Sequence, residues 1–266
     1  MRAKGHLSKM EVESDNPVNY FLQLDQRVPL NDFMGKHLVL HWDGGIQCSG
    51  CGKSIPKTFG EGFCYPCFIS SPQASPCIIR PELCRAHLGE GRDLAWEERN
   101  HNQPHVVYLT AGDTVKVGVT RASNLITRWI DQGASRTIVL AETSNRYEAG
   151  LLEVALKDFF TDKTSWQKML RNARDESIDL VEEKWRVYDA MPSDLSCFFS
   201  ENDTVNTFTY PVVSYPQKVT SVNLEKVKSH EGLLQGVRGQ YLLFSDGSVL
   251  NIRRHTGFHV TLSCHQ

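Results

Sequence analysis

Residues 48–67 read CSGCGKSIPKTFGEGFCYPC, and no other stretch limits the possible folds as strongly. Cys48 and Cys51 form one C-x2-C pair, Cys64 and Cys67 a second, and twelve residues lie between the pairs. Each pair sets two sulfurs on a tight turn whose glycines let backbone amides point at them. Two such knuckles close a tetrahedron around Zn²⁺ with no position left for water, which makes the expected site structural rather than catalytic. Reduced, unliganded thiols or a redox C-x-x-C are the competing readings, and two knuckles at this spacing favour zinc.

A looser cluster follows in CIIRPELCRAHLGEGRDLAWEERNHNQPH. Cys77 and Cys84 stand there with His87, His101 and His105, five candidate ligands for four places. A second zinc is expected on Cys77, Cys84, His101 and one of His87 or His105, and the spacing does not separate those two. Plain buried cysteines beside surface histidines are the alternative. Residues 48–104 are rich in Cys, Gly and Pro and poor in periodic apolar pattern, as expected where metal replaces a core.

Six of the eight cysteines fall in this early stretch, while Cys197 and Cys264 stand alone. The first twenty residues contain no apolar core of a secretory signal. No apolar run approaches the roughly 18 residues of a membrane span. Clustered cysteines in such a context read as metal ligands rather than disulfides, and a cytoplasmic location is expected. Net charge is −2, from 29 basic and 31 acidic side chains, so the chain lacks the bulk positive charge that most nucleic-acid binders carry.

Outside the cysteine region the patterning is that of an α+β protein. The N-terminal GKHLVLHWDGGIQ and the C-terminal GQYLLFSDGSVLN both read as strand, Asp-Gly turn, strand. They are either two unrelated hairpins or two halves of one β-rich unit. The expected organisation is a β-rich segment over 1–45, a zinc-ribbon-like region over 46–104, a mixed domain over 105–192 and a β-rich domain over 193–266. NIRRHTGFHV groups Arg253, Arg254, His255 and His259 with Phe258, which suits either single-strand contacts or a charged hairpin rim.

In VVYLTAGDTVKVGVT, Gly112-Asp113 supplies a hairpin turn. Tyr108 and Lys116 then lie near one another across the ladder, and Gly118 would admit a bound backbone close to the sheet. A helix follows with an apolar stripe of Leu125, Ile126, Trp129 and Ile130, Ser123 at its start and Arg128 outside the stripe. The strand RTIVLAE leads to the helix SNRYEAGLLEVALKDFF, which carries Glu148 and Glu153. On that helix Glu148 falls within the apolar stripe and Glu153 about 140° away, so the two acids do not share one ion.

This order of parts resembles the GIY-YIG nuclease domain over residues 105–165. VVY stands where that family has GIY, KVG where it has YIG, and EAGLLEVALK looks like its late metal-binding helix. The resemblance implies a small mixed fold and a phosphodiester-cleaving endonuclease dependent on Mg²⁺ or Mn²⁺; the alternative is a non-catalytic zinc-containing module that binds DNA or RNA or serves in assembly. Carried over, Tyr108 is the tyrosine that acts as or orients the general base, Arg128 the arginine facing the phosphate, and Glu153 the metal ligand. Lys116 stands in place of the second family tyrosine and could grip a phosphate. IDQGA offers no histidine after the arginine, and DKTSW stands where an asparagine is common. The whole chain also resembles a prokaryotic family known only as a domain of unknown function, in which GFCYPCF, KVGVTR, RWIDQGA and DKTSW occur in this order.

Overall fold

Strands from opposite ends of the chain complete one another's hydrogen bonding. In the computed structural model, which describes residues 1–157, 159–160 and 165–265, β1 (Arg2–His6) pairs with β14 (Phe258–His265), and β14 pairs with β5 (His37–Ile46). The sheet continues through β11 (Ser229–Arg238), β12 (Tyr241–Phe244), β13 (Ser248–Asn251) and β10 (Thr220–Ser221). Period-two alternation sends Leu38 and Leu40 of β5 and Val260 and Leu262 of β14 into one core. Tyr20 and Leu22 join that core from a three-stranded sheet of β2 (Glu11–Glu13), β3 (Asn19–Gln23) and β4 (Arg27–Pro29).

The two Asp-Gly signals have different outcomes. Asp246-Gly247 turns between β12 and β13, with Gly247 at φ +81°. Asp43-Gly44 does not reverse the chain: β5 continues through it and is paired with β14 before it at Trp42 and after it at Ile46. A register shift between Phe258 and Val260 absorbs the extra residues as a bulge, and Gly44 takes φ +97°.

The middle of the chain forms a separate antiparallel sheet in the order β7 (Val115–Arg121), β6 (His105–Ala111), β8 (Arg136–Thr143), β9 (Asn206–Thr207). The central strand β6 is buried along almost its whole length, which its run of Val, Tyr and Leu requires. Val107, Leu109 and Ala111 meet helices α4 (Arg146–Ala155) and α6 (Leu180–Ala190). On the other face Val106 and Tyr108 pack with Trp129 of α3 (Leu125–Asp131). Ser123 lies in a short turn before α3 and makes no cap; Asn145 caps α4 by accepting from Glu148 N at 3.0 Å. Glu148 answers by accepting from Ser144 N at 2.9 Å, so this acid is committed to the helix start.

Buried charge joins the two β units. Arg238 of β11, 3% exposed, donates to Gly133 O at 2.8 and 3.0 Å, to Ser135 Oγ and to Asn172 Oδ1. Asp131 at the end of α3 pairs with Lys9 at 2.5 Å and accepts from Gln240 Nε2 at 2.9 Å. These contacts fix α3, and with it Arg128, against the strands of both termini. No helix among the described residues is long and apolar enough to cross a membrane.

Between β5 and β6 the chain forms two short helices, α1 (Tyr65–Ser70) and α2 (Leu94–Asn100), and several single 3₁₀ turns. Tyr65, Ile69, Ile79, Leu83, Leu88 and Leu94 stay exposed, so this region has no apolar core of ordinary size. It is clasped instead to α4. A Cβ on Gly150 would lie 2.2 Å from Glu82 N and 2.4 Å from the Pro81 carbonyl carbon, so the helix and the Pro81–Glu82 backbone touch through the missing side chain. Gly150→Ala should therefore lower stability by about 1–3 kcal/mol by overpacking, against the half to one kcal/mol that alanine otherwise gains in a helix. Thermal unfolding checks this, and an unchanged or raised Tm contradicts the clasp.

Candidate metal centres and an arginine-lined cleft

Cys48 leaves the end of β5, and Cys64 caps the start of α1. The sulfurs of Cys48, Cys51, Cys64 and Cys67 all lie within 4.8 Å of one another. Cys51 and Cys64 are 3.9 Å apart, close to the edge of about 3.8 Å of a tetrahedron with Zn–S bonds near 2.3 Å. Amides converge on the group: Gly50 N donates to Cys48 Sγ at 3.3 Å and Cys64 N at 3.1 Å. Burial opposes ionisation of Cys48, but the amides of Cys64, Cys51 and Gly50 outweigh it and bring the thiol down to about 6. The thiol of Cys67 is pushed up to about 12, first by its hydrogen bond with Cys64 and then by burial. Four free sulfurs gathered this closely, with amides aimed at Cys48, are a donor set ready for a soft cation.

The second group is Cys77, Cys84, Glu97 and His101, again with all ligand atoms within 4.8 Å. Cys77 Sγ lies 3.8 Å from His101 Nδ1 and 3.2 Å from Ser75 Oγ. The hydrogen bond from Cys84 holds Cys77 down at about 4 against its burial, and the same bond pushes Cys84 up. Glu97 of α2 pairs with His101, which closes that helix one turn later, at 4% and 3% exposure. Four potential ligand atoms buried this closely form a preassembled donor set for a dication. Two sulfurs, one nitrogen and one carboxylate oxygen suit zinc.

The fourth member is thus Glu97, where the sequence pointed to His87 or His105. His87 stacks on Tyr147 with ring centroids 4.5 Å apart, and lies outside the group. His105 opens β6 with Nδ1 donating to Gln103 O at 2.7 Å and Nε2 without a hydrogen-bond partner among the described residues, and burial lowers its pKa to about 4. The signal for Glu97 was the i,i+4 spacing in EERNH, which puts Glu97 and His101 on one helix face.

Beside the second group opens a cleft of about 250 Å³ lined by Arg121, Arg128, Arg146 and Arg253, together with Asn100, His101, Asn124 and Trp96. Each arginine is held by a different part of the chain. Arg121 at the end of β7 donates to Asn100 Oδ1 at 2.7 Å. Arg146 at the start of α4 donates to Cys77 O at 2.9 Å and Ile78 O at 2.8 Å. Arg128 donates to the Gln132 amide oxygen at 2.9 and 3.2 Å, in the orientation that lets the amide nitrogen donate to Tyr108 Oη. Arg253 pairs with Glu61 in the first cysteine loop. Arg253 thus has a carboxylate at ion-pair distance, whereas the hydrogen bonds of Arg121, Arg128 and Arg146 go to neutral oxygens. Burial lowers the pKa of Arg146, opposed by Cys77, Cys84 and Glu153.

The set carried over from the nuclease pattern is only partly gathered. Tyr108 is fully buried, its Oη is 2.6 Å from the Gln132 amide, and burial raises its pKa despite Arg128. Its ring fills the space over Gly118, its cross-strand partner, where a Cβ would lie 2.6 Å from the phenol. The glycine serves Tyr108 and leaves no room there for a ligand backbone. Lys116 is a diagonal neighbour, paired with Thr110, and lines with Glu153 a smaller hollow of about 110 Å³. Arg128 opens instead on the arginine cleft, and Asp131 pairs with Lys9 rather than with it. Glu153 and Arg128 both act electrostatically on the Tyr108 hydroxyl, so the four groups are neighbours that do not share one opening. Of DKTSW, Asp162, Lys163 and Thr164 lie outside the described residues.

Fold and site together define a β-rich α+β protein with cysteine clusters able to hold zinc. Residues 35–260 match the model of a family described as protein of unknown function (DUF2797), and the chain belongs to that family. No curated protein and no solved structure matches it.

The donor sets set the expected metal content. Elemental analysis of purified protein should give two zincs per chain, falling to one in Cys51→Ser and to one in Cys84→Ser, and staying at two in His87→Ala. Zinc binding releases protons from these thiols, so occupancy should fall as pH is lowered. A single zinc in the unaltered protein contradicts the second centre.

Proposed function

We propose that the arginine cleft binds the phosphodiester backbone of nucleic acid, in a protein whose zinc centres are structural. The observation that carries this reading is the meeting of four guanidinium groups at one opening, three of them hydrogen-bonded to neutral oxygens. A net charge of −2 makes that convergence local rather than a consequence of composition. Guanidinium forks match phosphate oxygens in pairs of parallel charge-assisted hydrogen bonds, which a neutral acceptor does not replace in strength. Asn100, Asn124 and Trp96 add donors and an aromatic edge at the same opening. Phe258 and Phe244 of the C-terminal region are core residues and His255 is bonded to Leu224 N, so the NIRRHTGFHV stretch contributes Arg253 rather than a stacking surface.

A second reading, cleavage of the bound strand with Mg²⁺ or Mn²⁺ on Glu153, is favoured by one observation. Tyr108, Gln132 and Arg128 form a continuous hydrogen-bonded row, and Glu153 lies within electrostatic reach of its tyrosine end. Against it stand the burial of Tyr108 and its raised pKa, because a general base must meet the proton it removes. Binding is therefore the reading the geometry supports best.

Fluorescently labelled twelve-nucleotide DNA and RNA strands, and the corresponding duplexes, test both. Arg128→Ala and Arg121→Ala should each weaken binding about tenfold and reduce the magnitude of the salt slope by about 0.7–0.9 for each phosphate no longer neutralised. Unchanged affinity and slope in both variants contradicts the cleft as the binding site. Cleavage with Mg²⁺ or Mn²⁺ that disappears in Glu153→Gln establishes the second reading, and intact strands in every variant leave binding alone.

A further inference from the structure

The cleft has no wall of its own on the side of the second cysteine group. His101 belongs to both, its imidazole in the ligand set and its side chain in the cleft lining. The residue before it, Asn100, holds Arg121 at 2.7 Å. The carbonyls of Cys77 and of Ile78 hold the guanidinium of Arg146 at 2.9 and 2.8 Å. The main chain of Arg146 is anchored there too, with its N–H donating to His101 O at 2.9 Å. Two of the four arginines thus take their positions from the ligands of one metal centre or from residues next to them. This segment has few apolar contacts to keep it in shape without an ion: among the described residues its buried cluster is Cys77, Cys84 and Ala86, with Tyr147 packed against it.

From this we infer that the centre formed by Cys77, Cys84, Glu97 and His101 regulates the anion cleft, so that zinc and a polyphosphate strand bind to this protein cooperatively. The inference rests on the phosphate-binding reading of the cleft. With zinc bound, the Cys77–Ile78 carbonyls and Asn100 are fixed and the guanidinium groups of Arg146 and Arg121 stay pointed into the cleft. Without zinc, the segment loosens and both arginines lose their acceptors together. Linkage makes the effect reciprocal: if zinc strengthens strand binding by some factor, the strand strengthens zinc binding by the same factor. The first centre is coupled more weakly, because its loop reaches the cleft through the pair of Glu61 and Arg253.

Zinc release from the full-length, zinc-loaded protein into excess chelator, with and without a saturating twelve-nucleotide DNA strand, tests this. One of two zincs should leave about fivefold or more slowly when the strand is present, a typical size for coupling between sites. The other should leave at an unchanged rate, and Arg146→Ala should abolish the protection. In the converse measurement Cys84→Ser should bind the strand about tenfold more weakly and Cys51→Ser within about threefold of the unaltered protein. The release measurement needs no variant and stands even if Cys84→Ser fails to fold. Strand binding with both zincs released at unchanged rates overturns the coupling alone. A strand that does not bind the zinc-loaded protein overturns the cleft reading and the coupling with it.

Discussion

Everything between β5 and β6 has to hold its shape without an apolar core, and two thiol clusters are what the chain supplies for it. Fewer than sixty residues there carry exposed Ile, Leu and Tyr side chains and several one-turn helices, each too short to be stable alone. A metal bound by four side chains replaces many weak contacts with a few strong ones, and it fixes the backbone on either side of each ligand. That rigidity passes to the neighbours. Gly150 lets α4 lie on the Pro81–Glu82 backbone, Tyr147 stacks on His87, and Glu61 reaches Arg253 beside β14. The cysteine region is thus a second joint between the sheet of the two termini and the sheet in the middle, beside the buried contacts of Arg238 and Asp131.

The cleft follows from where that joint sits. Arg121 and Arg128 come from the central sheet and its helix, Arg146 from the helix on the opposite face, and Arg253 from the 3₁₀ turn between β13 and β14. Four guanidinium groups brought this close repel one another, and the protein keeps them there by giving each a defined acceptor. Carbonyl and amide oxygens orient three of them through neutral hydrogen bonds, which are weaker than those an anion would make. Tyr108 illustrates the opposite use of a polar group. Its ring covers Gly118 and packs edge-on to Trp129, and its hydroxyl is spent on Gln132.

How much of this could be read in the sequence depends on how local each signal is. The first cysteine group was legible because its ligands lie in two tight turns whose spacing is set by coordination geometry. The hairpin at Gly112-Asp113 and the turn at Asp246-Gly247 were legible for the same reason. Asp43-Gly44 carried the same signal and gave a bulge, because pairing of β5 with both β14 and β11 outweighs a local turn preference. Glu97 did not stand out, because its burial comes from contacts that no local pattern marks, among them the close approach of Gly91 to its side chain. The arginines were the least legible of all. They are scattered from position 121 to position 253, and nothing local marks Arg121 or Arg146 as different from other surface arginines.

Anomalous diffraction at the zinc edge from crystals of the purified protein locates each ion and its ligands in one experiment, and so decides whether metal shapes this joint. Two peaks per chain are expected, one within bonding distance of Cys48, Cys51, Cys64 and Cys67 and one bound by Cys77, Cys84, Glu97 and His101, with the Arg146 guanidinium on the Cys77 and Ile78 carbonyls. A second peak held by His87 or His105 in place of Glu97, or only one peak with the cleft arginines still in place, would contradict it.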